Sequence, residues 1–318
     1  MDVTGTTDTT DATGTADATG STTSTTTSTT TGTTGTTATT GRPPVRVGTL
    51  KVPGAVLHHE VRGSGPVLLL VPGGAGDAGL FEGMADLLAD AGRTVVSYDQ
   101  RGLSRSRLDG PLGDQRVAEW GADALAVLDA VSPDEPADVF GCSSGGIVAL
   151  ALLAARPDRV RRLVAHEPPL VELLADPAPY REHFAEVREL HRTRGLGPAT
   201  ARLAETPDGR KPERGHGELP PSVRPMASRM AANMPVFLEH VLCPFSSSAP
   251  DLDGLRAAAG KLLLGIGRES AGQEALAGPA RRIAELTGAG IVEFPGGHLG
   301  CVEQPEAFAE LLLTAMRR

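Results

Sequence analysis

From residue 45 onward the hydrophobic positions fall into two alternating rhythms. Short apolar runs at 66–71 (PVLLLV), 94–98, 137–140, 160–165, 261–266 and 291–294 have the length of strands buried on both faces. Between them, residues 80–91, 117–131, 147–156, 275–287 and 303–316 space their apolar side chains at helical intervals. Residues 45–52 and 55–61, separated by Pro53-Gly54, predict a hairpin ahead of the series. Strand and helix in alternation predict a doubly wound, mostly parallel α/β sheet. The alternation stops after Pro168-Pro169, and residues 170–253 read as short helical pieces broken by many prolines. A helical block inserted between two strands of one sheet predicts a cap over the strand C-termini, where such sheets bind ligands. The expected organisation is therefore a core of residues 43–169 and 254–318 with a cap at 170–253. The Pro-, Gly-, Arg- and Glu-rich stretch 205–225 is expected to be an exposed part of that cap.

Composition adjusts this picture at the edges. Of the first 40 residues 22 are threonine, with almost nothing apolar to offset the entropy of ordering, so residues 1–42 are expected to be a disordered tail. The 318-residue chain carries a formal charge of -9 and has no basic stripe with interleaved aromatics, which argues against a nucleic-acid partner. No apolar run approaches membrane-spanning length, and the N-terminus lacks the basic and apolar blocks of a secretory signal. Three cysteines, Cys142, Cys243 and Cys301, give neither a disulfide framework nor metal-ligand spacing, so a cytoplasmic setting without a metal is expected.

The chemistry concentrates at Gly141-Cys142-Ser143-Ser144-Gly145-Gly146, between an apolar run and a helix-forming run. A serine with glycine two places before and two after fits a strained strand-to-helix turn, in which a Cβ on either side would collide with neighbouring backbone. Ser143, with both flanking glycines, is the candidate nucleophile. His298, in the loop between the 291–294 run and the last helix, is the candidate base, because imidazole titrates near neutrality. His58 and His59 lie too early in the chain for that role, and His183, His191, His216 and His240 fall in the inserted block. Oxyanion donors are expected from the backbone: the Ser144 amide at the head of a helix, and Gly74, or alternatively Gly73, in the loop after the PVLLLV run.

PGGAG after one buried run, YDQRG after the next, GCSSGG at the elbow and FPGGH before the last helix together resemble the α/β-hydrolase superfamily. The resemblance covers everything but the tail and is nearest to the small capped bacterial esterases, haloperoxidases and epoxide-hydrolase-like proteins. It implies the α/β-hydrolase fold and hydrolytic chemistry with no organic cofactor. Relatives often have His-Gly where this chain has Pro72-Gly73, and those with an aspartate nucleophile hydrolyse epoxides or C–halogen bonds. Ser143 favours acyl transfer instead. The resemblance usually puts the triad's carboxylate at the position held here by Ser270, which cannot serve. Glu167, past the strand that follows the elbow helix and ahead of two prolines, is the favoured acid; Glu269 is the alternative, with Asp251 and Asp253 behind it. The expected function is a carboxylic ester hydrolase acting on a small-molecule acyl substrate through Ser143, His298 and a glutamate. An iminopeptidase, a C–C hydrolase and a non-catalytic small-ligand binding protein stay open, as does a homo-oligomer.

Overall fold

A computed structural model describes residues 44–209 and 221–317. The threonine-rich tail lies outside the described residues, as does most of the stretch expected to be exposed in the cap. The strands are β1 (Arg46–Val52), β2 (Ala55–Arg62), β3 (Val67–Val71), β4 (Thr94–Tyr98), β5 (Arg107–Leu108), β6 (Ala137–Cys142), β7 (Val160–His166), β8 (Leu262–Gly267) and β9 (Gly290–Phe294). They form one sheet in the order β1-β2-β4-β3-β6-β7-β8-β9, with β5 beside β2. The β1–β2, β2–β4 and β2–β5 pairs are antiparallel, and every later pair is parallel. The sheet is therefore doubly wound, with the early hairpin as its antiparallel edge.

Because successive strand residues point to opposite faces, the apolar runs feed two cores. Leu69, Val71, Val139 and Ala165 face helices α2 (Val117–Val131) and α3 (Ser144–Ala155), together with α8 (Leu252–Ala257) and α9 (Glu274–Thr287). Leu68, Leu70, Phe140 and Val164 face α1 (Glu82–Asp90), α10 (Gly300–Glu303) and α11 (Pro305–Arg317). The second core holds a run of aromatic contacts: Phe81 to Phe140 at 5.6 Å, Phe140 to Phe308 at 5.5 Å and Phe308 to Phe294 at 4.4 Å between ring centres. These rings lie beneath the strand ends that bear Ser143 and His298.

Between β7 and β8 come α4 (Ala178–Arg194), α5 (Leu196–Leu203), α6 (Ala227–Val236) and α7 (Leu242–Ser246), ahead of α8. Val171, Leu174, Phe184, Val187, Ala199, Leu238 and Leu242 give this insert a small apolar centre of its own. Pro235 interrupts the α6 hydrogen-bond ladder, and a π-helical turn, Phe237–Val241, follows it.

Three details differ from the pattern in the sequence. The helix expected at 303–316 is two helices, because Pro305 opens α11 after Gln304 has left helical geometry at φ -132°. The helix expected from residue 80 is preceded by a 3-10 turn, Ala78–Phe81, which Asp77 caps by accepting from the Gly79 N–H. The two-residue β5 is too short to leave a periodic signal.

Candidate active site

The elbow is built by close backbone packing. Ser143 sits between β6 and α3 with φ 54° and ψ -127°. A Cβ on Gly141 would lie 2.3 Å from the Gly145 carbonyl oxygen, and one on Gly145 would lie 2.2 Å from that of Val71. Neither site admits a side chain. Gly73 belongs to the same packing, since its Cβ would lie 2.3 Å from the Cys142 carbonyl oxygen and 2.8 Å from Ser143 Cβ. The described non-glycine residues with positive φ are Ser104, Ser143 and Glu167. Each such position costs on the order of 1–3 kcal/mol, and two of the three, Ser143 and Glu167, follow directly on the neighbouring strands β6 and β7.

Register joins the strand ends. Ser143 N–H donates to the His166 carbonyl at 2.9 Å, and Glu167 N–H donates to that of Gly265 at 3.0 Å. Beyond β8, Arg268 N–H donates to Phe294 O and Glu269 N–H to Gly296 O, each at 2.9 Å, which ties the β8 loop to the loop bearing His298. The ends of β6, β7, β8 and β9 thus bring Ser143, Glu167 and His298 to one edge of the sheet, although 131 residues separate the last two.

Glu167 is fully buried, and its Oε2 accepts from His298 Nδ1 at 2.8 Å. Its Oε1 accepts from Gly267 N–H at 2.8 Å and from the Ser270 hydroxyl. An ionised carboxylate only accepts, so His298 carries its proton on Nδ1 and turns a lone pair outward at Nε2. Burial raises the Glu167 pKa, but hydrogen bonding and charge from His298, with help from His166 and Ser270, outweigh it and hold the group below the usual carboxylate range. Burial lowers His298, and the hydrogen bond and charge of Glu167 outweigh that, leaving the imidazole above its usual value. Among the described residues no hydrogen bond joins Ser143 to His298, a contact that commonly tightens only around substrate.

The other carboxylates raised by the sequence lie elsewhere. Asp251 caps α8 by accepting from Gly254 N–H at 2.9 Å, and Asp253 pairs with Arg256. Glu269 N–H ties the β8 loop to Gly296 O, and the carboxylate on His298 Nδ1 is that of Glu167.

The loop expected to supply an oxyanion donor is more occupied than the sequence suggests. Gly74 has φ 58°, which suits glycine, but its N–H donates to the Ser144 hydroxyl at 2.9 Å rather than into open space. The Ser144 N–H is the first of α3, with no carbonyl one turn earlier inside the helix to accept it.

Sequence reasoning passed over a polar clamp that holds this loop to the insert. Asn233 of α6 is buried; its Nδ2 donates to Ala75 O at 3.0 Å and to Ser104 Oγ at 2.7 Å, while its Oδ1 accepts from Ser104 N–H at 2.8 Å. One turn earlier, Arg229 donates to both oxygens of the fully buried Asp77, which also accepts from the Ser104 hydroxyl at 2.8 Å. The i, i+4 spacing of Arg229 and Asn233 on a predicted helix was the one available signal, and it did not name a partner. His166 was also passed over. It is buried among Phe294 and Phe308, lies parallel to the His298 ring at 6.5 Å, and is held neutral because burial drives its pKa to about 4. Asp99 takes four hydrogen bonds from Ala78 and Arg105, and Arg101 grips Asp123 at 2.6 Å, so both lock loops as their strand-end positions suggest.

Among the described residues no group of three or more His, Cys, Asp or Glu is arranged to hold a metal ion, and no helix is long and apolar enough to cross a membrane. Residues 66–227 match the family model described as alpha/beta hydrolase fold. YraK, an uncharacterized hydrolase of Bacillus subtilis (strain 168), is 34% identical over 270 residues, covering 83% of this chain and 94% of YraK. A zearalenone hydrolase of Bionectria ochroleuca is 35% identical over 127 residues, 38% of this chain and 47% of that protein. A solved structure of a thermophilic esterase from Thermogutta terrifontis superposes with a TM-score of 0.62 at 21% identity, covering 87% of this chain and 98% of the esterase. At that identity the likeness concerns the fold.

Proposed function

Because the chain belongs to the alpha/beta hydrolase fold family and is a hydrolase, we propose that it cleaves an ester or related acyl bond of a small molecule by serine catalysis. The observation that carries the proposal is the contact between His298 Nδ1 and the buried Glu167 carboxylate. The His298 Nδ1–H is committed to that carboxylate at 2.8 Å, which leaves Nε2 as a base at the sheet edge where the strained elbow presents Ser143.

Ser143 Oγ attacks the substrate carbonyl carbon as its proton passes to His298 Nε2. The carbonyl π pair moves to oxygen, and the resulting oxyanion lies against the Ser144 N–H and the Gly74 side of the loop. Collapse re-forms the carbonyl and breaks the bond to the leaving oxygen, which takes the proton from His298. Water then attacks the acyl-enzyme by the same path in reverse, giving the carboxylic acid and free Ser143. Glu167 stabilises the imidazolium formed in each half and never takes its proton. The insert between β7 and β8 serves as the cap, with α6 bolted to the oxyanion loop through Asn233 and Arg229.

The zearalenone hydrolase similarity adds zearalenone to a first substrate panel beside chromogenic esters of graded acyl length. Covalent labelling by a fluorophosphonate, lost in Ser143→Ala and accompanied by ester turnover, is the expected result. An intact protein that takes no label and turns over no ester removes the proposal.

A further inference from the structure

Ser144 enters the scheme above through its backbone, but its side chain is placed to act as well. The hydroxyl accepts from Gly74 N–H at 2.9 Å, so it stands where that amide would otherwise meet the oxyanion. Ser144 is 4% exposed. A serine hydroxyl that accepts still has one proton to donate, and a buried proton without an acceptor is costly. Among the described residues the Ser144 hydroxyl makes no second hydrogen bond with the protein. The Ser144 amide, one residue past the nucleophile, faces the same region from the N-terminus of α3, which favours negative charge.

We propose that the Ser144 hydroxyl is itself a catalytic oxyanion donor, polarised from behind by the Gly74 N–H. On Ser143 attack the new oxyanion receives two hydrogen bonds from one residue, the Ser144 N–H and the Ser144 O–H. Gly74 acts one step back, donating to Ser144 Oγ and making its proton a stronger donor, as linked hydrogen bonds do. No covalent bond to Ser144 forms or breaks, and its proton stays on Oγ throughout. The inference rests on Ser143 being the nucleophile. It goes beyond it by moving the second donor from a glycine amide to a side chain that can be changed without touching the backbone.

The test compares Ser144→Ala and Ser144→Thr with the parent enzyme on a matched pair of aryl ester and thionoester, after thermal melting has verified folding. Loss of an oxyanion donor lowers kcat by about 10²-fold with little change in KM. The expected result is that fall in Ser144→Ala on the oxygen ester and a much smaller one on the thionoester, whose sulfur accepts hydrogen bonds poorly. Ser144→Thr, which keeps the hydroxyl, retains most of the activity. A hydroxyl that merely braces the loop would slow both substrates alike, and that outcome overturns the proposal. So does an unchanged or faster Ser144→Ala, in which the hydroxyl would have been a plug over the Gly74 amide. Ser143→Ala separates the two levels: if it remains active, the nucleophile assignment fails and this proposal with it. If it is inactive while Ser144→Ala keeps full kcat, only the side-chain role falls.

Discussion

Replacing Glu167 by glutamine tests the orienting acid with almost no change of shape, and the structure dictates which way the amide must face. Two donors converge on Oε1, the Gly267 N–H at 2.8 Å and the Ser270 hydroxyl. The hydroxyl can rotate to accept, but the backbone N–H cannot, so the glutamine oxygen has to occupy the Oε1 position. Its NH2 then replaces Oε2 opposite His298 Nδ1 and can only donate. His298 answers with its other tautomer, carrying the proton on Nε2 and losing the lone pair that would deprotonate Ser143. A wrong-tautomer lesion of this kind costs about 10⁴ in kcat, roughly 5 kcal/mol of transition-state stabilisation. Glu269→Gln leaves the contact between Glu167 and His298 Nδ1 intact and is expected to stay near the parent rate.

The pH profile gives a second readout with a defined sign. In the parent, burial lowers the His298 pKa but Glu167 more than compensates, so the acid limb of kcat/KM lies above the ordinary histidine value of 6.5. Removing the carboxylate charge leaves burial as the dominant influence, so the imidazole becomes a weaker base and the residual acid limb moves to lower pH. The assay is chromogenic ester hydrolysis from pH 4 to 9 with active sites counted by titration. A Glu167→Gln enzyme that keeps more than about a tenth of parental kcat, or whose acid limb moves upward, refutes the assignment.

Gly145→Ala should abolish ester turnover and lower the melting temperature, because the added Cβ would lie 2.2 Å from Val71 O and 2.6 Å from Pro72 O, forcing apart the elbow and the oxyanion loop. Asn233→Ala strips Ala75 and Ser104 of their partners; denaturant titration should register a loss of about 1–3 kcal/mol, and turnover should fall through a displaced Gly73-Gly74 segment. Glu60 is drawn down to about 2, first by its hydrogen bond with His58, against the opposing pull of burial and with further help from Arg105. The stability it supplies is therefore complete above its ordinary value near 4.5 and disappears as pH falls towards 2, so Glu60→Gln should flatten acid unfolding in that window, an effect on the order of 3 kcal/mol.

How far the site could be read from the chain depends on how local its causes are. The elbow was legible because its signal lies within six residues: the glycines at 141 and 145 are demanded by backbone atoms of Gly145 and of Val71, and both flank Ser143. His298 was legible for a related reason, as a loop histidine after the last strand. The clamp was not, because Asn233 meets Ala75 across 158 residues and Ser104 across 129, and a lone asparagine in a helical run looks like any surface residue. The hydroxyl of Ser144 on Gly74 was missed because elbow logic speaks of backbone amides and is silent on the side chain.

The proposed acid, Glu167, sits between those cases, and the reason is topological. β7 and β8 run parallel in neighbouring positions with His166 opposite Gly265, so residues just beyond their ends are separated by about the 4.8 Å of adjacent strands. A carboxylate rooted on β7 can therefore reach into the turn after β8, and Glu167 does so: both donors on its Oε1, Gly267 and Ser270, belong to that turn. The φ of 46° at Glu167 aims the side chain across, and Ser270, too short and uncharged to act as the acid, instead buttresses one. The resemblance leads the eye to residue 270 for the carboxylate, and the chain keeps the carboxyl group near that place while supplying it from the strand next door. One-dimensional alignment compares residues at the same point along one strand, whereas the chemistry requires only an oxygen at the right point in space. That is why Glu269 is the alternative in sequence while the carboxylate on His298 Nδ1 comes from Glu167.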